Sequence, residues 1–305
     1  MTKTLFTRLS CMADKDTNRS SEFDRIVYDS GLVRVGAFRC HPEHPSFQDT
    51  GPAMNCCFVF PRTAVEIQHE HEAAFVANPN VVTFYNAGQS YWRRAISSKG
   101  DHCDWFGVES QVVRDVVRTF DRRADDRPER PFLLSRGLAD SSTYLEQRSL
   151  FAEITAGHLI DALRMEETVM ELLARVVGSS YANCAPRPPS KVSSRQRDAI
   201  HYAETLLSGN PAERVTLQCL ASKVNLSPYH LCRLFRQVTG IKLHQYRLRF
   251  RVRAALSEVM ESHRPLTDIA LDAGFSSHSH FTDSFRSEFG ATPSRMRISR
   301  PAASR

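Results

Sequence analysis

The chain has 305 residues, 41% hydrophobic and 24% charged, a mixture that excludes a wholly disordered or collagen-like polypeptide and, at this length, favours about two domains. Its formal charge of +6 is unevenly spread: from Arg195 onward 17 Lys and Arg face 9 Asp and Glu, a net of +8, whereas the remainder carries 23 against 25, a net of −2. That asymmetry points to a polyanionic partner for the C-terminal part. No apolar run approaches the roughly 18 residues that would cross a bilayer, the longest strand-like stretch being Met54–Phe60. The opening MTKTLFTRLSCMADKD lacks the apolar core of an export signal, so no membrane partner and a cytoplasmic location are expected. The eight cysteines, Cys11, Cys40, Cys56, Cys57, Cys103, Cys184, Cys219 and Cys232, form no CxxC pair in a chain large enough to fold without staples, which predicts reduced thiols.

In chain order, residues 1–22 are polar, carry no sustained period and read as a flexible tail. Between Leu32 and Val108, short runs rich in Val, Phe, Tyr, Cys and Ile (LVRVGAFRC, CCFVF, AVEIQ, VVTFYN, CDWFGV) are separated by Pro, Gly, Asn and Asp, the pattern of a small β barrel or sandwich. After Ser110 the spacing turns helical, first at Val112, Val113, Val116, Val117 and Phe120, later at Leu159, Leu163, Met170, Leu173 and Val177. Segment 110–181 is therefore predicted to be mostly helical. The stripe on 143–181 can be buried in two ways, against the β domain or against a second copy of the chain. ANCAPRPPSKVSS, residues 182–194, concentrates Pro and Ser and reads as a linker. Residues 195–298 show repeated helical periods without a strand run. The expected fold class is a multi-domain α+β chain, with a β domain and helical extension over 23–181 and an all-α domain over 195–298.

The all-α part repeats itself. Leu220-Ala221, Leu226-Ser227, Leu231, Leu234, Phe235, Arg236 and Gly240 return as Ile269-Ala270, Phe275-Ser276-Ser277, Phe281, Phe285, Arg286 and Gly290. The offset is 49 before the turn and 50 after it, as two helix-turn-helix units would show if the second carried one extra turn residue. In the first copy Ser227 is a good N-cap and Pro228 suits the first helical position. Leu231, Leu234, Phe235 and Val238 make a buried stripe, leaving Tyr229, Cys232, Arg233 and Arg236 on a neighbouring exposed face that a DNA groove would meet. Arg233 is the best candidate for a bidentate guanine contact. The second copy has Ser277 as N-cap, Phe281, Phe285 and Phe289 inward, and His278, Ser279, Thr282, Asp283 and Arg286 outward. Asp283 is repelled by phosphates unless it accepts from a cytosine amine or pairs locally. Between the copies, Tyr246–Leu256 alternates arginines with apolar residues, yet Leu248, Val252, Ala255 and Val259 fit a helical stripe, and a helix is predicted.

On these residues the chain resembles the AraC/XylS family of bacterial transcription regulators. DIALDAGFSSHSHFTDSFRSEFGATPSRMR, residues 268–297, is similar to the family's second-unit signature, including Gly274-Phe275, the Phe281/Phe285 pair and Gly290-x-x-Pro293. The first unit and joining helix match as well. The resemblance implies a seven-helix domain that contacts two successive major-groove segments. By motif position Tyr229, Cys232 and Arg233, then His278, Ser279, Thr282 and Asp283, fall where members read bases, and His230, Arg236 and Arg286 complete the DNA-contact candidates. Asp283 stands where the family is often basic, and Met296 where tyrosine is common. The front half is similar in architecture to the cupin-like ligand domains of many relatives. The implied function is a sequence-specific, effector-responsive transcription regulator. Its expected partners are double-stranded DNA and a small-molecule effector, with RNA polymerase and a second copy of the chain as further candidates.

Other constellations have a plainer reading beside the functional one. His69-Glu70-His71 would place two imidazoles on one side of an extended segment, with His41, His44, His102 or Cys103 to complete a metal site. The rest of a cupin metal motif is missing, so hydrogen-bonded or surface histidines are expected and no metal or cofactor is assigned. Cys56 and Cys57 should point to opposite strand faces as buried small hydrophobes, with a thiol sensor as the alternative. Tyr91, Trp92 and Trp105 complete a β core or stack on a ligand, and Arg93-Arg94 are expected in solvent. Without a Ser-His-acid grouping, Walker loop or GxGxxG, no catalytic machinery is expected. The alternative function is a metal-dependent cupin-type enzyme, or a thiol sensor, with an appended DNA-binding module.

Overall fold

The protein is described by a computed structural model covering residues 23–156, 161–184, 192–213 and 215–298. The expected tail, 1–22, lies outside the described residues, as does most of the expected linker, 185–191. Among the described residues the front half contains nine strands: β1 (Asp24–Asp29), β2 (Val33–Cys40), β3 (Cys56–Pro61), β4 (Val65–His69), β5 (Phe75–Ala77), β6 (Val81–Tyr85), β7 (Tyr91–Ala95), β8 (Asp101–Val108) and β9 (Arg136–Leu138). Six form one antiparallel sheet in the order β1-β2-β8-β3-β6-β9, and three form a second in the order β5-β4-β7.

The period-2 alternation of the long strands decides what each face of the large sheet touches. Phe38, Cys57, Val59, Tyr85, Cys103 and Trp105 face the small sheet, where Val65, Ile67, Phe75 and Ala77 complete an inner core. Val33, Val35, Phe58, Phe60, Phe84 and Phe106 face the opposite way, into a larger core covered by helices. Both faces are buried, which is why these strands read as nearly continuous apolar runs.

The extension expected to be mostly helical over 110–181 is built from several separate pieces. It contains α1 (Ser110–Val117), a 3-10 turn (Arg122–Ala124), α2 (Ser141–Thr155) and α3 (Ala162–Cys184), with β9 inserted before α2. The strand escaped notice because three residues carry too little pattern to compete with helical neighbours. In α3 the buried face is Met165, Val169, Leu172, Leu173, Val176 and Val177, while Leu163, expected inward, is 72% exposed. Leu159 lies outside the described residues. The apolar stripe of α3 is thus covered within the chain, by α1, α2 and β9.

The back half has seven helices among the described residues: α4 (Ser194–Gly209), α5 (Leu217–Lys223), α6 (Pro228–Thr239), α7 (Leu243–Glu261), α8 (Leu266–Asp272), α9 (His278–Phe289) and α10 (Pro293–Ile298). Helix α7 joins two three-helix groups and also carries the junction with the front half. Asn78 donates to Ser208 Oγ (2.8 Å) and to the Tyr246 hydroxyl (2.5 Å), and Asn80 donates to the Tyr246 carbonyl (2.9 Å). Arg253, fully buried, donates to the carbonyls of Pro79 (2.9 Å) and Ala139 (3.0 Å) and to Glu288 of α9 (2.7 Å), with its guanidinium over the Tyr144 ring. At the far end of α7, Glu261 pairs with Arg148 and Arg62, both of which also hold the buried Asp104 of β8. Removing Asp104 would leave the fully buried guanidinium of Arg148 short of a counter-charge, whereas Glu261 is partly open to solvent.

Candidate nucleic-acid interface

Each helix-turn-helix is set by the same local devices. Ser227 accepts from the His230 amide (3.2 Å) with Pro228 at the first helical position, and Ser277 accepts from the His280 amide (3.2 Å). The turns use one left-handed residue each, Asn225 (φ 54°) in the first and Gly274 (φ 81°) in the second. Asparagine tolerates that region; at Gly274 a β-carbon would also run into the Pro211 carbonyl, so only glycine fits. Just beyond, the Leu226 amide donates to the Ala221 carbonyl (3.0 Å) and the Phe275 amide to that of Ala270 (2.9 Å), closing both preceding helices alike. Helices α6 and α9 stop at Gly240 and Gly290, both left-handed. Ser276 is the extra turn residue that changes the offset.

With Leu231, Leu234 and Phe235 turned inward, Tyr229 (78% exposed), Cys232, Arg233 and Arg236 stand in solvent on α6, and His230 is half-buried. On α9, burial of Phe281, Phe285 and Phe289 leaves His278, Ser279, Asp283 and Arg286 exposed. Thr282 departs from the expectation: it is half-buried, and its hydroxyl is shielded from solvent without a hydrogen-bond partner. No ion pair among the described residues includes Asp283. The two outward faces therefore differ: α6 offers two arginines and a tyrosine, whereas α9 offers one arginine, a histidine and a carboxylate.

Two arginines that the sequence reading left unassigned hold the framework. Arg247 donates to the Glu213 carbonyl and Arg251 to that of Pro211 (2.7 Å), tying α7 to the loop before α5, directly beside Gly274. Burial and the adjacent charge of Arg247 pull Arg251 down to about 10. The arginine alternation in the sequence was the available signal, but nothing local separates Arg251 and the buried Arg253 from their neighbours.

The front-half constellations resolve individually. Strand β4 ends at His69, and His71 sits in a turn with φ 65°, so the two imidazoles do not share a strand face. His69 is fully buried among the rings of Phe75, Tyr85 and Tyr91, with neither ring nitrogen bonded, and burial lowers it to about 4. His71 is exposed beside Glu70. No cluster of three potential metal ligands occurs among the described residues. Cys56 faces the helices near Ser110 Oγ (3.2 Å), whereas Cys57 faces the inner core. Burial pushes the thiols of Cys57 and Cys103 up, away from thiolate reactivity. Arg93, expected in solvent, is buried, 3.2 Å from Asp101, while Arg94 is exposed and bonded to Glu66 (2.6 Å). Trp92 points outward. Tyr91 and Trp105 line a cavity of about 440 Å³ between the sheets.

A helix-turn-helix domain model matches residues 220–298, which contain α6, α7, α8, α9 and α10 whole. The probable transcription factor PqrA of Proteus vulgaris is 34% identical over 100 residues, 33% of this chain and 80% of that protein. The regulatory protein SoxS of Salmonella typhimurium is 37% identical over 83 residues, 27% of this chain and 78% of that protein. The bifunctional transcriptional activator/DNA repair enzyme AdaA of Bacillus subtilis is 28% identical over 119 residues, and the chain spans only 56% of its length. No helix among the described residues is long and apolar enough to cross a membrane. Two capped, glycine-terminated helix-turn-helix units on one joining helix, matched across most of PqrA and SoxS, make this chain a DNA-binding transcription regulator that belongs to the AraC/XylS family.

Proposed function

We propose that the regulator reads two successive major-groove segments, α6 entering one and α9 the next, and that a small molecule in a cupin-like front domain (23–181) alters how DNA is held by the back domain (195–298). Arg233 takes a guanine edge, Tyr229, Cys232, His278 and Ser279 make further base contacts, and Arg236 and Arg286 hold phosphates. His230, Thr282 and Asp283 stand at the margin of this surface. The observation that carries the reading is the parallel exposure of α6 and α9, each with its N-terminal turn free of other protein elements at the proposed contact residues. Effector response is supported by β8, which turns Asp101, Cys103 and Trp105 toward the cavity and Asp104 toward Arg148, Arg62 and, through them, Glu261 of α7. RNA polymerase and a second copy of the chain are the remaining proposed partners.

The test is equilibrium binding to fragments from the protein's own promoter region against scrambled duplex, across a salt series. Affinity should fall with a log–log slope of about −0.9 per neutralised phosphate. Arg233→Ala should lose about 1–3 kcal/mol of discrimination. A variant that discriminates as well as wild type would overturn the role of Arg233.

A further inference from the structure

The cavity between the two sheets has a chemistry that narrows its ligand. Its volume of about 440 Å³ lies within the range of small-molecule sites, and its wall includes the rings of Phe23, Phe38, Tyr85, Tyr91 and Trp105. Four charged residues line it: Asp24, Arg34, Arg93 and Asp101. Arg34 is neutralised at 2.8 Å by Asp29. Arg93 is occupied: its Nη2 donates to Thr50 Oγ1 (3.1 Å) and the Tyr91 hydroxyl (2.8 Å), its amide donates to the Gln48 carbonyl (3.0 Å), and its guanidinium lies 4.3 Å from the Phe38 centroid. It holds the Gln48–Ala53 rim in place, and its unbonded Nη1 is sealed from solvent.

Asp24 is different. Its Oδ1 accepts from Trp105 Nε1 (2.8 Å), and its Oδ2 has no partner among the described residues. Trp105 is held flat because Gly36 lies beneath it; a β-carbon at Gly36 would collide with the indole. The lining therefore has two carboxylates, Asp24 and Asp101, for the single guanidinium of Arg93. Burial raises the Asp24 carboxyl to about 6, as expected for an acid short of a counter-ion.

We propose that this cavity binds a small organic cation, a protonated amine or quaternary ammonium on a short apolar body, with Asp24 as its counter-ion and the aromatic wall around its charge. An added cation would balance the second carboxylate, and aromatic faces attract ammonium groups in a desolvated site. A carboxylate ligand would meet Asp24 and Asp101, with the buried Arg93 already engaged and Arg34 already charge-paired with Asp29. The assignment rests on the effector-responsive reading above.

The experiment compares three probes of matched size on the full chain, 3-phenylpropylamine, 3-phenylpropanol and 3-phenylpropionate, by calorimetry and by indole fluorescence, Trp105 being one of two tryptophans. The amine should bind about tenfold more tightly than the alcohol, and the propionate more weakly than both. Asp24→Asn should erase the advantage of the amine and keep alcohol binding. Equal binding of all three, tighter binding of the propionate, or no saturable binding of any would overturn the proposal on wild-type protein alone. Retention of promoter DNA is measured on the same samples. Selective amine binding that leaves DNA affinity unchanged would uphold the ligand class and refute the effector reading; a change in DNA affinity caused by the alcohol or the propionate, but not by the amine, would do the reverse.

Discussion

Behind α6, Leu231, Leu234 and Phe235 close a core built from residues between Val192 and Tyr246 alone, whereas behind α9 Phe281, Phe285 and Phe289 enter a core that runs on through Tyr144 to Phe58, Phe60 and Phe106. The first unit meets the front half through polar contacts at its edge, Asn78 to Ser208 and Tyr246 and Glu66 to His201. The second is fused to it by apolar burial and by Arg253, which bonds Glu288 and two front-half carbonyls at once. One sequence plan used twice has produced one helix-turn-helix unit with its own foundation and one whose foundation is the front half. A change in the front half should therefore reach α9 through the shared apolar core and α6 mainly through polar contacts at its edge, with Leu138 beside Gly240 as a smaller apolar touch.

Truncating one core residue in each unit tests that division most sharply. Phe285→Ala should cost about 3–5 kcal/mol and Leu231→Ala about 2–5 kcal/mol. Amide exchange separates them: the first should loosen α9, α2 and the large sheet together, the second α4, α5 and α6 alone. Equal loosening of the front half by Leu231→Ala would break the comparison. Arg253→Ala should cost about 3–5 kcal/mol in urea unfolding, because two carbonyls are left buried without a donor and Glu288 keeps only the more distant Arg249, 3.6 Å away. Arg253→Met with Glu288→Gln should recover part of that loss by removing the stranded charge.

The helix-turn-helix units were legible because their determinants are local: Ser227-Pro228, Ser277, Gly240, Gly290 and the apolar spacing between them lie within a few residues of what they control. The β half was legible in five runs between Leu32 and Val108 that became β2, β3, β4, β6 and β8, but β1, β5, β7 and β9 and the division into two sheets depend on partners distant in the chain. Least legible were the buried polar residues. Arg93, Arg148 and Arg253 look like ordinary surface arginines until Asp101, Asp104 and Glu288 are brought beside them. Thr282 is similar, since helical spacing alone places it outward while its hydroxyl is shielded from solvent.

A smaller effect is expected at the caps. Ser227→Ala and Ser277→Ala each remove one amide acceptor, at a cost of about 1 kcal/mol. On a foundation of its own, α6 should show the loss as faster exchange of the His230 amide and its neighbours across the first turn. In α9 the fraying should stop at Phe281, which is held by the shared core. Fraying that passes Phe281 while α6 stays protected would reverse the proposed order of the two units.

The smallest effect is a pH dependence confined to the first unit. Burial raises the Glu66 carboxyl, but the hydrogen bonds and charges of Arg94 and His201 outweigh it, so the folded value lies below the usual 4.5. An acid depressed in the folded state contributes stability that is complete above its unfolded value and is lost as pH falls through the folded one. Glu66 thus helps hold α4 to β4 at neutral pH and releases it in acid, with an effect below about 1 kcal/mol because Arg94 is largely exposed and screened. The difference in amide exchange between wild type and Glu66→Gln should appear in α4 above pH 4.5, shrink as the pH falls further, and be absent from α9 throughout. An equal response in α9 would mean that the polar edge and the apolar junction act as one contact, and that the two helix-turn-helix units are not separately coupled to the front half.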